Sequence, residues 1–328
     1  MQAEQEALDT ALIDLSDRRY LYTDQQGIEE LADSVGFVGL VSPPVLQTKQ
    51  EGGFRIVAGF RRVSACISLK LEQIPARVVA AKTDPLYCFQ ISAADNAASR
   101  TLGPGEQCRL VEKLHELCGT KEDVSQALES AGLRMPVALV DKYIRLSRLP
   151  DEIRQGVSGN YISFNTALDM ESLPRSSATA VAEVFRRLRP GLNKQREILE
   201  GLRDLAGRRQ SSIDSILKGP EFSEIIRPEN IDRGRRLGLF RSLLYRLRYP
   251  WLSRAEDMFY RRKKKLGLGS DMDLKPPAYF EDTVYTMILR FSSARQLCCH
   301  AQTLERICRH PELEAILKRE IEDTSDLY

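Results

Sequence analysis

The spacing of apolar residues changes sharply near residue 59. In "FRIVAG" (residues 54–59), Phe54, Ile56 and Ala58 alternate with Arg55 and Val57, the period of a short strand. After Gly59 the period lengthens. Val63, Cys66, Ile67 and Leu71 recur at helical spacing, which predicts a helix over 60–71 with Arg61 and Arg62 off its buried face. "ALIDLS", "PPVLQTK" and "IPARVVA" read as further strands and residues 24–38 as another helix.

From about residue 103 the pattern is helical. Pro104 suits a first helical turn, and Leu110, Leu114 and Leu117 keep the helical period. Thr120 with Asp123 resembles a capping box, and Val124, Ala127 and Leu128 share a face until "ESAGLRM" breaks it. A new helix opens at Pro136 with Val137, Val140 and Ile144 and stops at Leu149–Pro150, so the pair predicts a helix-turn-helix. Beyond "AGRRQSS", Leu237, Phe240, Leu244 and Leu247 mark a basic helix; "TVYTMILRF" then alternates as a strand and "SARQLCCHAQTLERI" as a helix. The expected fold is α+β and mostly helical. Residues 1–102 form a small α/β domain, 103–206 an all-α helix-turn-helix domain, and 207–328 an α+β C-terminal domain.

Charge divides the chain more sharply than its formal net of +2 suggests. Residues 1–53 carry ten acids against three bases, whereas residues 233–265 carry twelve Arg and Lys against Glu256 and Asp257. That basic stripe has the density of a phosphate-backbone binder, and Tyr245, Tyr249, Trp251, Phe259 and Tyr260 interleave with it as in base-stacking surfaces. A helix core flanked by snorkelling arginines gives the same pattern. Seven cysteines without a CxxC pair do not form a disulfide framework. "CCHAQTLERICRH" matches no zinc spacing, and a helix with Cys308 buried is expected there. No apolar run reaches the ~20 residues of a membrane span, and "MQAEQEALDT" lacks the regions of a signal peptide; both point to a cytoplasmic chain without membrane contact.

The candidate chemistry starts at Gly59-Phe60-Arg61-Arg62. A glycine turn into a helix leaves free amides at the helix start, and two guanidiniums beside them suit a phosphate. The order of parts across residues 11 to 172 resembles the ParB family of partition proteins. Gly59, Arg61, Arg62 and Ala65 keep its G-E-R-R-x-x-A box; Asn96, Leu102, Pro104 and Glu106 keep its E-N-x-x-R-x-x-L-x-P-x-E box. "IDLSDRRY" and "YIRLSRLPDEIRQGVSGNYISFNTAL" are similar to its flanking segments. The chain departs from the pattern at Phe60 for Glu, Asp95 for Glu, and Arg100 one residue after the box arginine's place.

The resemblance implies a sulfiredoxin-like N-terminal domain that binds CTP with Mg²⁺, DNA as partner, homodimerisation through the C-terminus, nucleoid association, and a partition ATPase as a further partner. Gly59, Arg61 and Arg62 would hold the triphosphate, with Arg18, Arg19, Asn96 and Arg100 in the nucleotide-binding set. Asp95 and Asn96 would place the metal, and any weak hydrolysis of CTP would turn on Asp95. Sulfiredoxins themselves carry a catalytic cysteine beside the box arginine, where this chain has Phe60. The helix-turn-helix would open its second helix with Pro136, Val137 and Ala138, none of which hydrogen-bonds a base edge through its side chain. Arg134, Lys142, Arg145 and Arg148 would contact phosphates, giving weakly selective DNA binding. The alternatives are a ParB-like metal-dependent nuclease and a transcriptional regulator that has lost nucleotide turnover.

Overall fold

Five short strands make one sheet in the order β1-β5-β3-β4-β2. They are β1 (Glu4–Asp9), β2 (Ile13–Asp14), β3 (Val45–Thr48), β4 (Phe54–Ala58) and β5 (Gln73–Val79). β1 runs antiparallel to β5, with Leu8 opposite Ile74; β3 is parallel to β5 and antiparallel to β4, which is parallel to β2. The computed structural model describes residues 4–227 and 230–318. The chain forms two compact units, residues 1–196 and 197–328.

In the first unit, helices α1 (Ile28–Val38), α2 (Phe60–Ser68) and α3 (Pro85–Ser99) accompany the sheet. α1 packs on α2, and α3 packs on β4. Burial in 54–58 does not alternate: Ile56, Val57 and Ala58 are all buried, because β4 is an interior strand covered on both faces rather than half-solvated. α2 stops at Ser68, and Lys70 turns left-handed at φ 57°, so Leu71 lies outside the helix and is exposed rather than in its apolar stripe. α1 begins at Ile28 rather than residue 24, after Gly27 at φ 67°. β1 is a strand that apolar spacing does not reveal: on an edge, its Gln5 and Glu6 stay exposed while only Leu8 is buried. Under the sheet, buried Gln47 accepts from Tyr20 Oη at 3.2 Å and donates to the carbonyls of Ala80, Ala81 and Thr83, leaving its amide satisfied.

The unit continues through α4 (Pro104–Cys118), α5 (Lys121–Ser130), α6 (Val137–Ser147), α7 (Asp151–Ser158), α8 (Phe164–Asp169), α9 (Arg175–Leu188) and the start of α10 (Leu192–Arg209). α4 packs against both α6 and α7. The crossing with α7 is tight at Gly105. A Cβ there would fall 1.9 Å from Ser158 Oγ, 2.7 Å from its Cβ and 3.1 Å from its Cα. Gly105→Ala is therefore expected to cost about 1–3 kcal/mol by forcing the helices apart. Urea denaturation should show a lowered midpoint, with partial recovery when Ser158→Gly is added.

The second unit holds the rest of α10, α11 (Ile213–Lys218), α12 (Pro220–Ile226), α13 (Arg233–Arg248) and α14 (Pro250–Lys265). Then come the antiparallel pair β6 (Met272–Lys275) and β7 (Thr286–Leu289), and finally α15 (Ala294–Cys308) and α16 (Pro311–Leu317). Phe259, Leu266, Met272, Leu274, Phe280, Ile307 and Ile316 make one core. The helix expected around the cysteines exists as α15, but it buries His300 and Ile307; Cys308 is exposed, because helical spacing places Ile307 on the inward face. The fold is α+β and mostly helical, as the periodicity predicts. Among the described residues no helix is long and apolar enough to cross a membrane.

Candidate nucleotide and nucleic-acid sites

The candidate anion site sits at the turn from β4 into α2. Gly59 adopts φ +90°, and an added Cβ would approach Arg62 Nε to 2.9 Å and the Pro44 Cβ to 3.0 Å, so the turn requires glycine. No side chain caps the helix. The first amides of α2 lack intrahelical acceptors, and its first turn contains no acid.

Two loops and one helix converge on the arginines that follow. Arg62 Nη1 donates to the Ser42 carbonyl at 2.9 Å and to Ser42 Oγ at 2.7 Å, while Nη2 pairs with Asp95 Oδ2 on α3 at 2.5 Å. Arg61 Nη2 donates to the Gly27 carbonyl at 3.1 Å, and Arg61 Nε is buried without a partner. Both guanidiniums are half-buried rather than free in solvent. Separation by 33 residues hid the Arg62–Asp95 pair from the sequence, as did the Ser42 contribution, although the Pro43–Pro44 turn marks that loop.

Asn96 follows on α3. Its Nδ2 donates to Tyr22 Oη at 3.0 Å and to the Ser92 carbonyl at 2.8 Å, which leaves its Oδ1 as the amide's remaining acceptor. Tyr22 is buried, and burial pushes its hydroxyl up to about 12 against the opposing bonds from Ser92 and Asn96. Arg100 lies farther along and is engaged elsewhere. It forms a bidentate pair with Glu106 at 2.8 and 2.6 Å. The Glu106 carboxylate also accepts from the amides of Gly103 at 3.0 Å and Asp24 at 2.9 Å. Burial raises its pKa, but these partners, Arg100 foremost, outweigh burial and bring it to about 2.

Arg18 and Arg19 are exposed on the loop before Tyr20. At the start of that loop, the Ser16 hydroxyl and the Lys49 ammonium hold the Asp14 carboxyl well below the usual range. At its far end, Lys113 on α4 donates to the Arg19 carbonyl at 2.9 Å, and Arg109 reaches the Tyr22 carbonyl at 2.7 Å and Asp24 at 2.6 Å. Apolar spacing gave no sign of this strap, because it is built from cations on α4 and backbone carbonyls.

In the helix-turn-helix region, residues 131–136 join α5 to α6, and Ser125 Oγ bonds the Met135 carbonyl at 2.7 Å across the turn. Arg134, Lys142 and Arg148 are exposed, with no ion-pair partner among the described residues. Arg145 differs: its Nε and Nη2 both donate to Glu171 Oε2, at 2.8 and 2.5 Å. Pro136 caps α6 without a side-chain hydrogen bond, and Ala138 is exposed in its first turn. Among the described residues, no three His, Cys, Asp or Glu side chains gather as a metal-binding group.

The family model for the ParB N-terminal domain matches residues 3–93. Over 150 residues the chain is 28% identical to a nucleoid occlusion protein of Listeria innocua, covering 46% of this chain and 51% of that one. Over 139 residues it is 31% identical to the chromosome-partitioning protein Spo0J of Thermus thermophilus, covering 42% and 49%. The chain thus spans about half the length of the curated relatives it matches. Among solved structures, ParB of Caulobacter crescentus in complex with the centromeric parS site aligns at 19% identity over 55% of this chain and 91% of that one, with a TM-score of 0.36. Residues 3–93 are thus a ParB N-terminal domain, and the chain is similar to ParB-type partition and nucleoid occlusion proteins over about half its length.

Proposed function

We propose that this protein is a DNA-associated partition or nucleoid-occlusion protein of the ParB type, and that it binds CTP with Mg²⁺ at the β4–α2 turn. The observation that carries the reading is the Arg62–Asp95 pair beside the uncapped start of α2. An arginine already oriented by Ser42 through Nη1 and held by a carboxylate through Nη2 is positioned for an anion, and a phosphate oxygen supplies the same kind of acceptor as Asp95 Oδ2. Arg61, with its Nε buried and unpartnered, fits a second phosphate oxygen. With a phosphate on Arg62, the Asp95 carboxylate and Asn96 Oδ1 would be the oxygens available to hold Mg²⁺. The ion would supply neutralisation of the phosphates' charge.

In this reading Arg134, Lys142 and Arg148 contact DNA phosphates, and Arg145 orients α6 through Glu171. A nucleotide-gated clamp on DNA, a homodimer, and a partition ATPase as partner belong to the same proposal. Calorimetric titration of the four ribonucleoside triphosphates, with and without Mg²⁺ and DNA, tests it. CTP binding in preference to the other three is the expected result. Binding of none would overturn the nucleotide assignment. Divalent-dependent nicking of DNA without nucleotide, lost in Asp95→Ala, would favour a nuclease.

A further inference from the structure

The twelve cations of residues 233–265 fall into two groups. Arg236, Arg241, Arg248, Arg262, Lys263 and Lys265 have partners inside the second unit: the Ile226 carbonyl, Glu197, Asp204, Glu312, Asp273 and Glu312 respectively. Arg233, Arg235, Arg246, Arg254, Arg261 and Lys264 are exposed, with no ion-pair partner among the described residues. Packing and internal neutralisation account for the first six and leave the second six unexplained.

The unpaired cations are ordered along the helices. On α14, Trp251, Arg254, Met258 and Arg261 stand at i, i+3, i+7 and i+10, so they share one face about 15 Å long. Trp251 is 54% exposed. On α13, Arg235, Leu239, Ser242 and Arg246 make a comparable exposed stripe that ends five residues before Trp251. The apolar side of α14 is already used: Phe259 lies in the core, with Leu252 and Ala255 packed against it. Asp257 is the one exposed acid on α14.

We propose that this surface of α13 and α14 is a second nucleic-acid site, separate from the helix-turn-helix, and that it takes single-stranded nucleic acid. Unpaired arginines track a phosphate backbone of either form. The exposed Trp251 ring among them has no partner on the outside of a duplex, but an unpaired base stacks on it. A lipid surface would need an apolar face, and on α14 that face is buried in the unit's own core.

Trp251 is the only tryptophan in the chain, so its emission reports this surface directly. A thymidine oligomer added to the full-length protein should quench that emission, with an affinity that falls as salt rises. Arg254→Glu combined with Arg261→Glu should weaken binding more than about tenfold and reduce the slope of log affinity on log salt by about 1.4. Trp251→Ala, followed by anisotropy of a labelled oligomer, should weaken it about tenfold. Lys142→Glu with Arg148→Glu, on the helix-turn-helix, should leave the quenching unchanged. The proposal is overturned if no single strand binds, if it binds without quenching, or if duplex quenches as strongly. It is equally overturned if the helix-turn-helix variant abolishes quenching, or if anionic vesicles shift the emission to the blue while oligomers do not.

Discussion

Arg62→Ala is expected to weaken CTP binding by at least about a hundredfold, enough to abolish it in a calorimetric titration. Each charge-assisted bond from a guanidinium contributes about 1.5–3 kcal/mol, and the variant removes the guanidinium's charge together with every bond it would make to phosphate. It also strips Asp95 of its partner and leaves an unneutralised carboxylate where a phosphate must enter. Asp95→Asn separates these effects. Without Mg²⁺ it should tighten nucleotide binding, because the competing carboxylate is gone. With Mg²⁺ it should weaken binding, because a metal oxygen is lost. If Arg62→Ala binds CTP as the parent does, Arg62 belongs to the scaffold and the anion site lies elsewhere.

Glu106→Ala is expected to have the largest effect on stability, about 3–5 kcal/mol. The carboxylate is buried and gathers Arg100, the Gly103 amide and the Asp24 amide, so truncation leaves a half-buried guanidinium and two amides without their acceptor. Urea unfolding should show a lower midpoint, and Glu106→Gln should recover only part of the loss. The same group makes stability depend on pH. Its pKa falls from an ordinary 4.5 to about 2 in the folded protein, so the unfolded chain binds the proton first. The contribution is complete above the ordinary value and fades as pH falls from there toward about 2. In Glu106→Gln that part of the acid limb should be absent.

The strand, glycine and helix at residues 54–68 are legible in the sequence because their periods differ and a glycine stands between them. α6 is equally legible, since Pro136 and the Leu149–Pro150 stop bracket a clear apolar face. β1 and β6 are not. Each is a short edge or two-strand element whose exposed positions carry Glu, Gln, Asp or Lys, so burial on one side leaves little alternation. Cys308 illustrates another limit: cysteine is buried often enough to suggest a core position, yet Ile307 beside it competes for the same face and fills it. At the candidate site the glycine and both arginines can be read from their neighbours. Their partners cannot, because Ser42, Gly27 and Asp95 are brought in by the packing of α1, α2 and α3.

The strap from α4 has a practical consequence for dissecting the protein. Glu106, Arg109 and Lys113 anchor Asp24, Tyr22 and Arg19, so the far end of the loop carrying Arg18 and Arg19 is held by residues beyond the α/β sheet. A fragment ending at residue 102 would keep the sheet and the β4–α2 turn while losing every one of these anchors. Fragments for nucleotide titration or crystallisation are therefore better ended near residue 196, where the first compact unit closes.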